Sequence, residues 1–354
     1  MSSPDVIVIG GGPAGSASAI RLAQKGRRVR LYEKTIFPRQ KLCGGYLSHE
    51  GVHELDRLGV LEDVQKNSIP LYRTVIASTK GTRVESPLHA PALSITRDSL
   101  DSILLRLARK SGVDVHEGED GRPHIGSARY TVIAAGRGFH PAFPETRKPH
   151  FIGIQATFEN VSGITDQVEL DIVEGGYVGL ARQEAARVNV CALTTIAMLK
   201  TWGPSLDSVM ARFLVENPVL RDHMKDATRV GEWMAVNPVR MGIRTLAKGN
   251  VFYAGDAACV VDPFAGEGMS IGLYTANLLT EALTQTLEKP DVVYHRLWRK
   301  AFLPPLRWSA ALRVVNTFSW VQESSLRVLQ HFPSALRFLS EATRHRPIEG
   351  LEWL

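Results

Sequence analysis

Four β-branched residues in succession, Val6-Ile7-Val8-Ile9, open the apolar pattern of this chain and predict a short strand buried on both faces. Small and apolar residues then recur at helical spacing from Ala14 to Gln24, with Gly26 as a C-terminal stop. A second strand is expected from Arg28 to Tyr32, ending at Glu33. Helical spacing resumes from Ser48 to Leu58, and Val75–Ser78 with Thr82–Glu85 reads as a hairpin around Lys80-Gly81. Thr96-Arg97-Asp98 leads into an amphipathic helix over Ser99–Lys110, apolar at positions 100, 103, 104, 107 and 108. Short strands are expected at Val113–Val115 and Tyr130–Ala135.

The pattern changes near Phe151. Strands are expected at Phe151–Phe158, Val168–Val173, Tyr177–Ala181 and Arg187–Leu193, close enough in sequence to pair antiparallel. Helices follow at Ser205–Val215 and Val219–Lys225, and a strand at Gly231–Val236. Val251-Phe252-Tyr253 returns to the first pattern, and the chain from Pro290 onward reads as helical. The expected fold is α/β with an α+β second domain. A Rossmann-like dinucleotide-binding domain (1–70, 96–150 and 245–289) is interrupted by an antiparallel-sheet substrate domain (71–95 and 151–244), and a helical tail (290–354) follows.

Composition narrows the possibilities. Of 354 residues, 44% are hydrophobic and 22% charged, which is ordinary for a globular protein. Met1-Ser2-Ser3-Pro4 passes straight into a strand, leaving no room for a signal peptide, and no apolar stretch is long enough for a membrane span. Three scattered cysteines without a C-x-x-C pair argue against a disulfide framework or a zinc site, so no metal and a cytoplasmic location are expected. The net charge of +6 is spread without an aromatic–basic motif, which argues against nucleic acid.

The chemistry lies first in Gly10, Gly12 and Gly15, a G-x-G-x-x-G turn between strand and helix. The first glycine permits the turn, the second lets backbone approach a diphosphate, and the third lets helix pack on strand. A carboxylate at Glu33 can accept hydrogen bonds from an adenosine ribose while the helix N-terminus takes the diphosphate. It would repel a 2′-phosphate, which favours FAD or NAD over NADP. Pro13, Ala14 and Lys34 complete the cofactor-binding set of this unit.

Gly255-Asp256-Ala257-Ala258 and Asp262-Pro263-Phe264-Ala265-Gly266-Glu267-Gly268, in this order after the first motif and Arg97, carry a resemblance. The chain resembles FAD-dependent oxidoreductases of the aromatic-hydroxylase (p-hydroxybenzoate hydroxylase-like) fold, and more closely their geranylgeranyl-reductase-like branch. The resemblance implies that Arg97 contacts the diphosphate or its flanking sugar and that Asp256 accepts from a ribityl hydroxyl. Pro263, Gly266, Gly268 and Met269 would open a helix whose N–H groups stabilise negative charge on the flavin. Pro38 to Gly45 looks like the P-x-x-K-x-C-G-G element, which would bring Lys41, Cys43, Gly44 and Gly45 beside the flavin ring. Cys43, Tyr46 and Tyr177 are then the candidate proton donors, whereas Cys191 and Cys259 read as core residues. Ala135 and Gly136 stand where relatives carry A-D-G, without the acidic residue. Gly176-Tyr177-Val178-Gly179-Leu180 keeps the tyrosine of the Y-x-W-x-F-P signature and loses its other members. Tyr177, Gly179 and Ala181 share one strand face.

The activity implied is an FAD-dependent reductase or dehydrogenase acting on a small apolar substrate, isoprenoid- or polyketide-like, with NADH or NADPH as a transient donor. An NAD(P)H-dependent flavin monooxygenase is the alternative, and no Trp-x-Trp-x-Ile-Pro element is present, which argues against a halogenase. A further alternative is a non-catalytic FAD-binding or membrane-docking protein, since the basic C-terminal helices offer a peripheral membrane contact. A monomer or weak dimer is expected.

The purified protein should be yellow and release FAD on denaturation. Gly12→Val puts a branched side chain where the diphosphate must approach, so that variant should purify colourless, as an absorbance spectrum would show.

Overall fold

In the computed structural model, residues 3–138, 151–184, 186–203, 205–285, 288–315 and 319–351 are described. The chain begins β1 (Val6–Ile9), α1 (Pro13–Gln24), β2 (Val29–Glu33), β3 (Tyr46–Leu47), α2 (His49–Arg57) and α3 (Leu61–Gln65). The long hairpin β4 (Ser68–Ala77) and β5 (Arg83–Ile95) follows, then α4 (Arg97–Lys110), β6 (Asp114–Glu117) and β7 (Tyr130–Ile133). Next come β8 (Phe151–Glu159), β9 (Gln167–Val173), β10 (Gly176–Arg182) and β11 (Arg187–Thr195). The helices α5 (Ile196–Trp202), α6 (Leu206–Glu216) and α7 (Pro218–Met224) separate these from β12 (Thr228–Val239). The short strands β13 (Gly242–Ile243), β14 (Ala247–Lys248), β15 (Val251–Tyr253) and β16 (Cys259–Val260) precede α8 (Gly268–Thr284). The tail forms α9 (Pro290–Val315), α10 (Ser319–His331) and α11 (Pro333–Ala342).

A six-stranded sheet has the order β14-β15-β7-β1-β2-β6 and is parallel except at the β14–β15 edge. With α1, α4 and α8 packed on it, this is the Rossmann-like layer. The second sheet, β12-β8-β11-β10-β9-β4-β5-β3, has eight strands. It is antiparallel at every junction but one: β4 pairs parallel with β9, Arg73 opposite Gln167, where an antiparallel sheet was expected. The β4–β5 hairpin enters from an earlier part of the chain, so no tight turn dictates its direction.

Two large apolar cores follow from this layering, with smaller clusters beside them. The larger joins β1, α1, α4, α8 and the buried face of α9, including Trp298, Tyr294 and Phe302. The smaller lies between β8–β11 and α6–α7, centred on Phe213, Val209 and Leu220. The helix α5, absent from the sequence expectation, is started by Thr195, whose hydroxyl accepts from Met198 N at 3.2 Å. The helix α4 begins two residues earlier than expected because Thr96 caps it, accepting from Ser99 N. The strand expected to reach Ala135 ends at Ile133, before the 3₁₀ turn at Gly136–Gly138.

A Cβ on Gly15 would lie 1.9 Å from Gly10 O, against backbone that cannot yield, whereas a Cβ on Gly12 meets only Arg97 Nη2, at 3.4 Å. Gly15→Ala should therefore destabilise the fold by at least ~3 kcal/mol. Gly12→Ala should unfold at nearly the wild-type temperature, and thermal denaturation of the two variants side by side checks the contrast.

Candidate active site

One cavity of about 1410 Å³ runs from the β1–α1 turn, across the inner face of the eight-stranded sheet, to helices α9–α11. Gly12, Pro13 and Ala14 line one end of it. Gly10, at φ +105°, is closed in by the backbone at Ala134–Ala135 that follows β7, Gly15 by the end of β1, and of the three only Gly12 faces open space. No side chain caps α1, so its first-turn N–H groups face the cavity with the positive end of the helix dipole.

Positive charge gathers at the same end. Lys41, Arg97 and Arg137 all line the cavity. Arg97 donates two hydrogen bonds to Asp101, at 2.8 and 2.7 Å, which fix its guanidinium beside Gly12. Arg39 Nη2 lies 3.3 Å from Asp101 Oδ2, the oxygen that Arg97 Nη2 also holds. Lys41 Nζ stands 3.1 Å from where a Cβ on Gly136 would be. Burial, reinforced by the neighbouring Arg97, lowers the Lys41 pKa to about 8. A cation cluster destabilised in this way, around an open glycine and an uncapped helix, fits the two negative charges of a diphosphate. FAD therefore suits the residues present: Gly12, Lys41 and Arg97 would hold its diphosphate, and Asp256, half-exposed to the cavity and 3.6 Å from Arg137 Nε, would take a sugar-chain hydroxyl.

The expected residues do not all meet there. Glu33 is buried outside the cavity lining; its Oε2 accepts from Gly11 N at 2.8 Å and its Oε1 from Thr35 N and Oγ1 at 3.0 and 2.7 Å. Burial pushes its pKa up, but these donors and Arg39 outweigh that and hold it below the usual carboxylate range. Three of its roughly four acceptor positions are thus filled by protein. Lys34, the first residue past β2, is exposed and outside the cavity lining. Ala135 packs against Ile7, Ile9 and Tyr32 rather than facing the cavity.

The Cys43-Gly44-Gly45 turn lies at the middle of the cavity. The peptide of Cys43 is gripped on both sides: its N–H donates to Gln155 Oε1 at 2.7 Å, and its carbonyl accepts from Asn189 Nδ2 at 3.0 Å. Gln155 Nε2 closes the ring by donating to Asn189 Oδ1 at 2.8 Å. Both amides are buried, on β8 and β11 of the second sheet. Gly45 N donates to Cys43 Sγ at 3.4 Å, and the sulfur lies 4.0 Å from Met269 Sδ in the first turn of α8. Sequence reasoning missed Gln155 and Asn189, although each is a polar interruption in an otherwise apolar strand.

Tyr177, Gly179 and Ala181 all face this cavity, as does Cys191 on the neighbouring strand. Cys191 is therefore a cavity residue rather than the core residue expected; burial and the nearby Cys43 push its thiol up to about 12. Cys259 is buried. Tyr177 packs edge-on against Phe264, and burial raises its pKa well above the ordinary phenol value. The Tyr46 ring fills the space beside Gly266, which sits at φ +68°. Its hydroxyl accepts from Arg344 Nη2 at 3.2 Å. Arg344 also pairs with Glu267, while His345 Nδ1 lies 3.2 Å from the other Glu267 oxygen. Burial raises the Glu267 pKa, but the Arg344 and His345 partners overcome it and hold the carboxylate ionised. The C-terminal segment is thereby pinned to the loop that opens α8. Among the described residues no cluster suited to a metal ion occurs, and no helix is long and apolar enough to cross a membrane.

Residues 5–121 match the family model described as FAD dependent oxidoreductase. A tryptophan 2-halogenase of Chondromyces crocatus is 27% identical over 377 residues, covering 91% of this chain and 71% of that protein. A menaquinone reductase of Mycolicibacterium smegmatis is 28% identical, covering 79% and 76%. Among further relatives the share of their length spanned by this chain runs from 66% to 89%. The solved flavin-dependent brominase Bmp2 superposes with a TM-score of 0.75 at 17% identity, over 99% of this chain and 96% of that one, a likeness of fold. The protein is an enzyme, an FAD-dependent oxidoreductase. The Trp-x-Trp-x-Ile-Pro element is missing here, yet a protein named as a halogenase stands among the relatives.

If Lys41 holds the diphosphate, bound FAD raises its pKa above the value of about 8 that burial gives it in the free protein. FAD affinity should then be greatest below that pH and weaken as pH rises through it, where binding must take up a proton. Fluorescence titration of FAD across this range should show the trend in wild type and a flat profile in Lys41→Met.

Proposed function

We propose that this flavoenzyme reduces or dehydrogenates a small apolar substrate, isoprenoid- or polyketide-like, with NADH or NADPH as the electron donor. The observation that carries this reading is the cavity. At about 1410 Å³ it exceeds the ~300–1,000 Å³ of a single small-ligand site. Beyond the cationic end its lining is mostly apolar, with Leu170, Ile172, Leu326 and Leu329 among it, although Glu174, Arg212, Glu216 and Arg344 also border it. That leaves an apolar compartment beside the segment assigned to the flavin. The similarity to a menaquinone reductase supports the same choice.

When bound, FAD supplies the two-electron chemistry. The protein supplies position and protons. The Gln155–Asn189 clamp sets where the Cys43 thiol stands, and Arg344 orients the Tyr46 hydroxyl. Burial keeps Tyr177 protonated at neutral pH, so it can hold a hydrogen bond to substrate or donate a proton. The sheet and the C-terminal helices wall the compartment.

A second reading, oxygenation or halogenation of the substrate, is favoured by the relative named as a tryptophan 2-halogenase. Both readings use the same cofactor end of the cavity and differ in what reoxidises the flavin. Anaerobic reduction with NADH or NADPH, followed by mixing with a prenylated quinone or with oxygen and halide, separates them. Reoxidation by the quinone without oxygen supports reduction, whereas turnover only with oxygen would remove the first reading.

If Cys43 donates a proton, Cys43→Ser should keep FAD bound and slow the step after flavin reduction by ~10²–10⁴-fold. If it shapes the compartment, Cys43→Ser and Cys43→Ala should behave alike and chiefly change substrate affinity. Single-turnover absorbance of the flavin resolves the two.

A further inference from the structure

The C-terminal helices do more than wall the cavity. Trp308 on α9 and Val328 on α10 both line it, yet they are 42% and 58% exposed, so the cavity reaches the surface between these helices. Phe338 on α11 packs edge-on against Trp308, with ring centroids 6.1 Å apart, and is itself 59% exposed. Phe332, in the α10–α11 turn one helical turn beyond Val328, is 60% exposed. Two of these residues line the cavity mouth, Phe338 packs on one of them and Phe332 lies a turn away, and a grouped set of exposed apolar residues marks a docking surface where scattered ones do not.

Charge identifies the kind of partner. Three of the exposed apolar residues are preceded by an arginine, Arg307-Trp308, Arg327-Val328 and Arg337-Phe338, and Phe332 follows His331. All three arginines are exposed. Glu323 pairs with Arg327 and Glu341 with Arg337, which offsets part of this charge. From residue 291 onward, however, the chain holds nine Lys/Arg against five Asp/Glu. Aromatic and aliphatic anchors flanked by guanidinium groups suit the boundary between acyl chains and anionic headgroups. A second copy of the same surface is disfavoured, because a two-fold contact would set the basic rim against itself.

We propose that this rim docks on an anionic lipid bilayer, with Phe332 and Phe338 entering the acyl boundary, so that the cavity mouth opens onto the membrane. An apolar substrate would then pass from bilayer to cavity without crossing water. That passage rests on the substrate class proposed above, whereas the docking itself does not.

The test uses FAD-loaded protein and sedimentation with vesicles of phosphatidylcholine, with or without phosphatidylglycerol. The protein should co-sediment with the mixed vesicles, more weakly at high salt. Phe332→Ser with Phe338→Ser should weaken that partition by about a hundredfold. Arg307→Glu should weaken it about fivefold or more on the anionic vesicles and change little on phosphatidylcholine alone. Flavin absorbance and thermal midpoint should stay at wild-type values in both variants, which separates lost docking from lost folding. Protein that remains in the supernatant with both vesicles, or variants that bind like wild type, would overturn the proposal. So would a wild-type dimer in sedimentation velocity that the phenylalanine variants dissolve while no vesicle binding is seen. Failure of docking with substrate turnover intact would leave the proposed reaction standing, and the reverse result would remove the reaction alone.

Discussion

Two helix N-termini converge on one end of the cavity only because the chain places small residues where they meet. Ala14 on α1 touches both Gly255 and Gly272; a Cβ on either glycine would lie 2.9 or 3.5 Å from the Ala14 methyl. Gly15 lets α1 lie directly on the end of β1. A Cβ at Gly255 would collide with Ala14 and one at Gly15 with Gly10 O, whereas one at Gly272 would make ordinary contact, so only a bulkier side chain there would push α1 and α8 apart and stop their dipoles acting on the same ligand. The positions of Lys41, Arg97 and Asp256 all depend on that packing, since each projects into the space the two helices define.

Buried charge holds the loop that opens α8. Glu267 is buried with Arg344 and His345, and desolvating such a group is costly unless partners surround it. Here Tyr274 adds to the arrangement, stacking on the His345 ring and accepting from Ile348 N at 2.8 Å. Arg57 closes the strap by donating to Leu351 O at 3.0 Å. The last residues described are thus tied to α2 and α8, and the helices that precede them are held over the cavity. A charge pair of this kind specifies one placement of the tail, whereas apolar packing alone tolerates several.

The two sheets are joined chemically as well as spatially. The Cys43 peptide belongs to a connection leaving the parallel layer, but its hydrogen bonds go to β8 and β11 of the other sheet. The turn is thus held from both layers of the fold.

The parallel layer was legible along the chain because each of its parts is local: an apolar strand, a glycine turn and an amphipathic helix are contiguous in sequence. The dinucleotide site followed for the same reason, as Gly10, Gly12 and Gly15 lie within one turn. The hairpin β4–β5 and the strands β8 to β11 were also visible in their alternation, although the parallel pairing of β4 with β9 was not, because register between distant segments leaves no local mark. Tertiary structure alone decided that Glu33 spends its oxygens on Gly11 and Thr35, that Lys34 points outward, and that Cys191 faces the cavity. It alone brought Gln155 and Asn189 to Cys43 and Arg344 to Tyr46, across 112, 146 and 298 residues of chain. Local spacing fixes which face a residue occupies; which partner covers that face is settled only when separate elements pack.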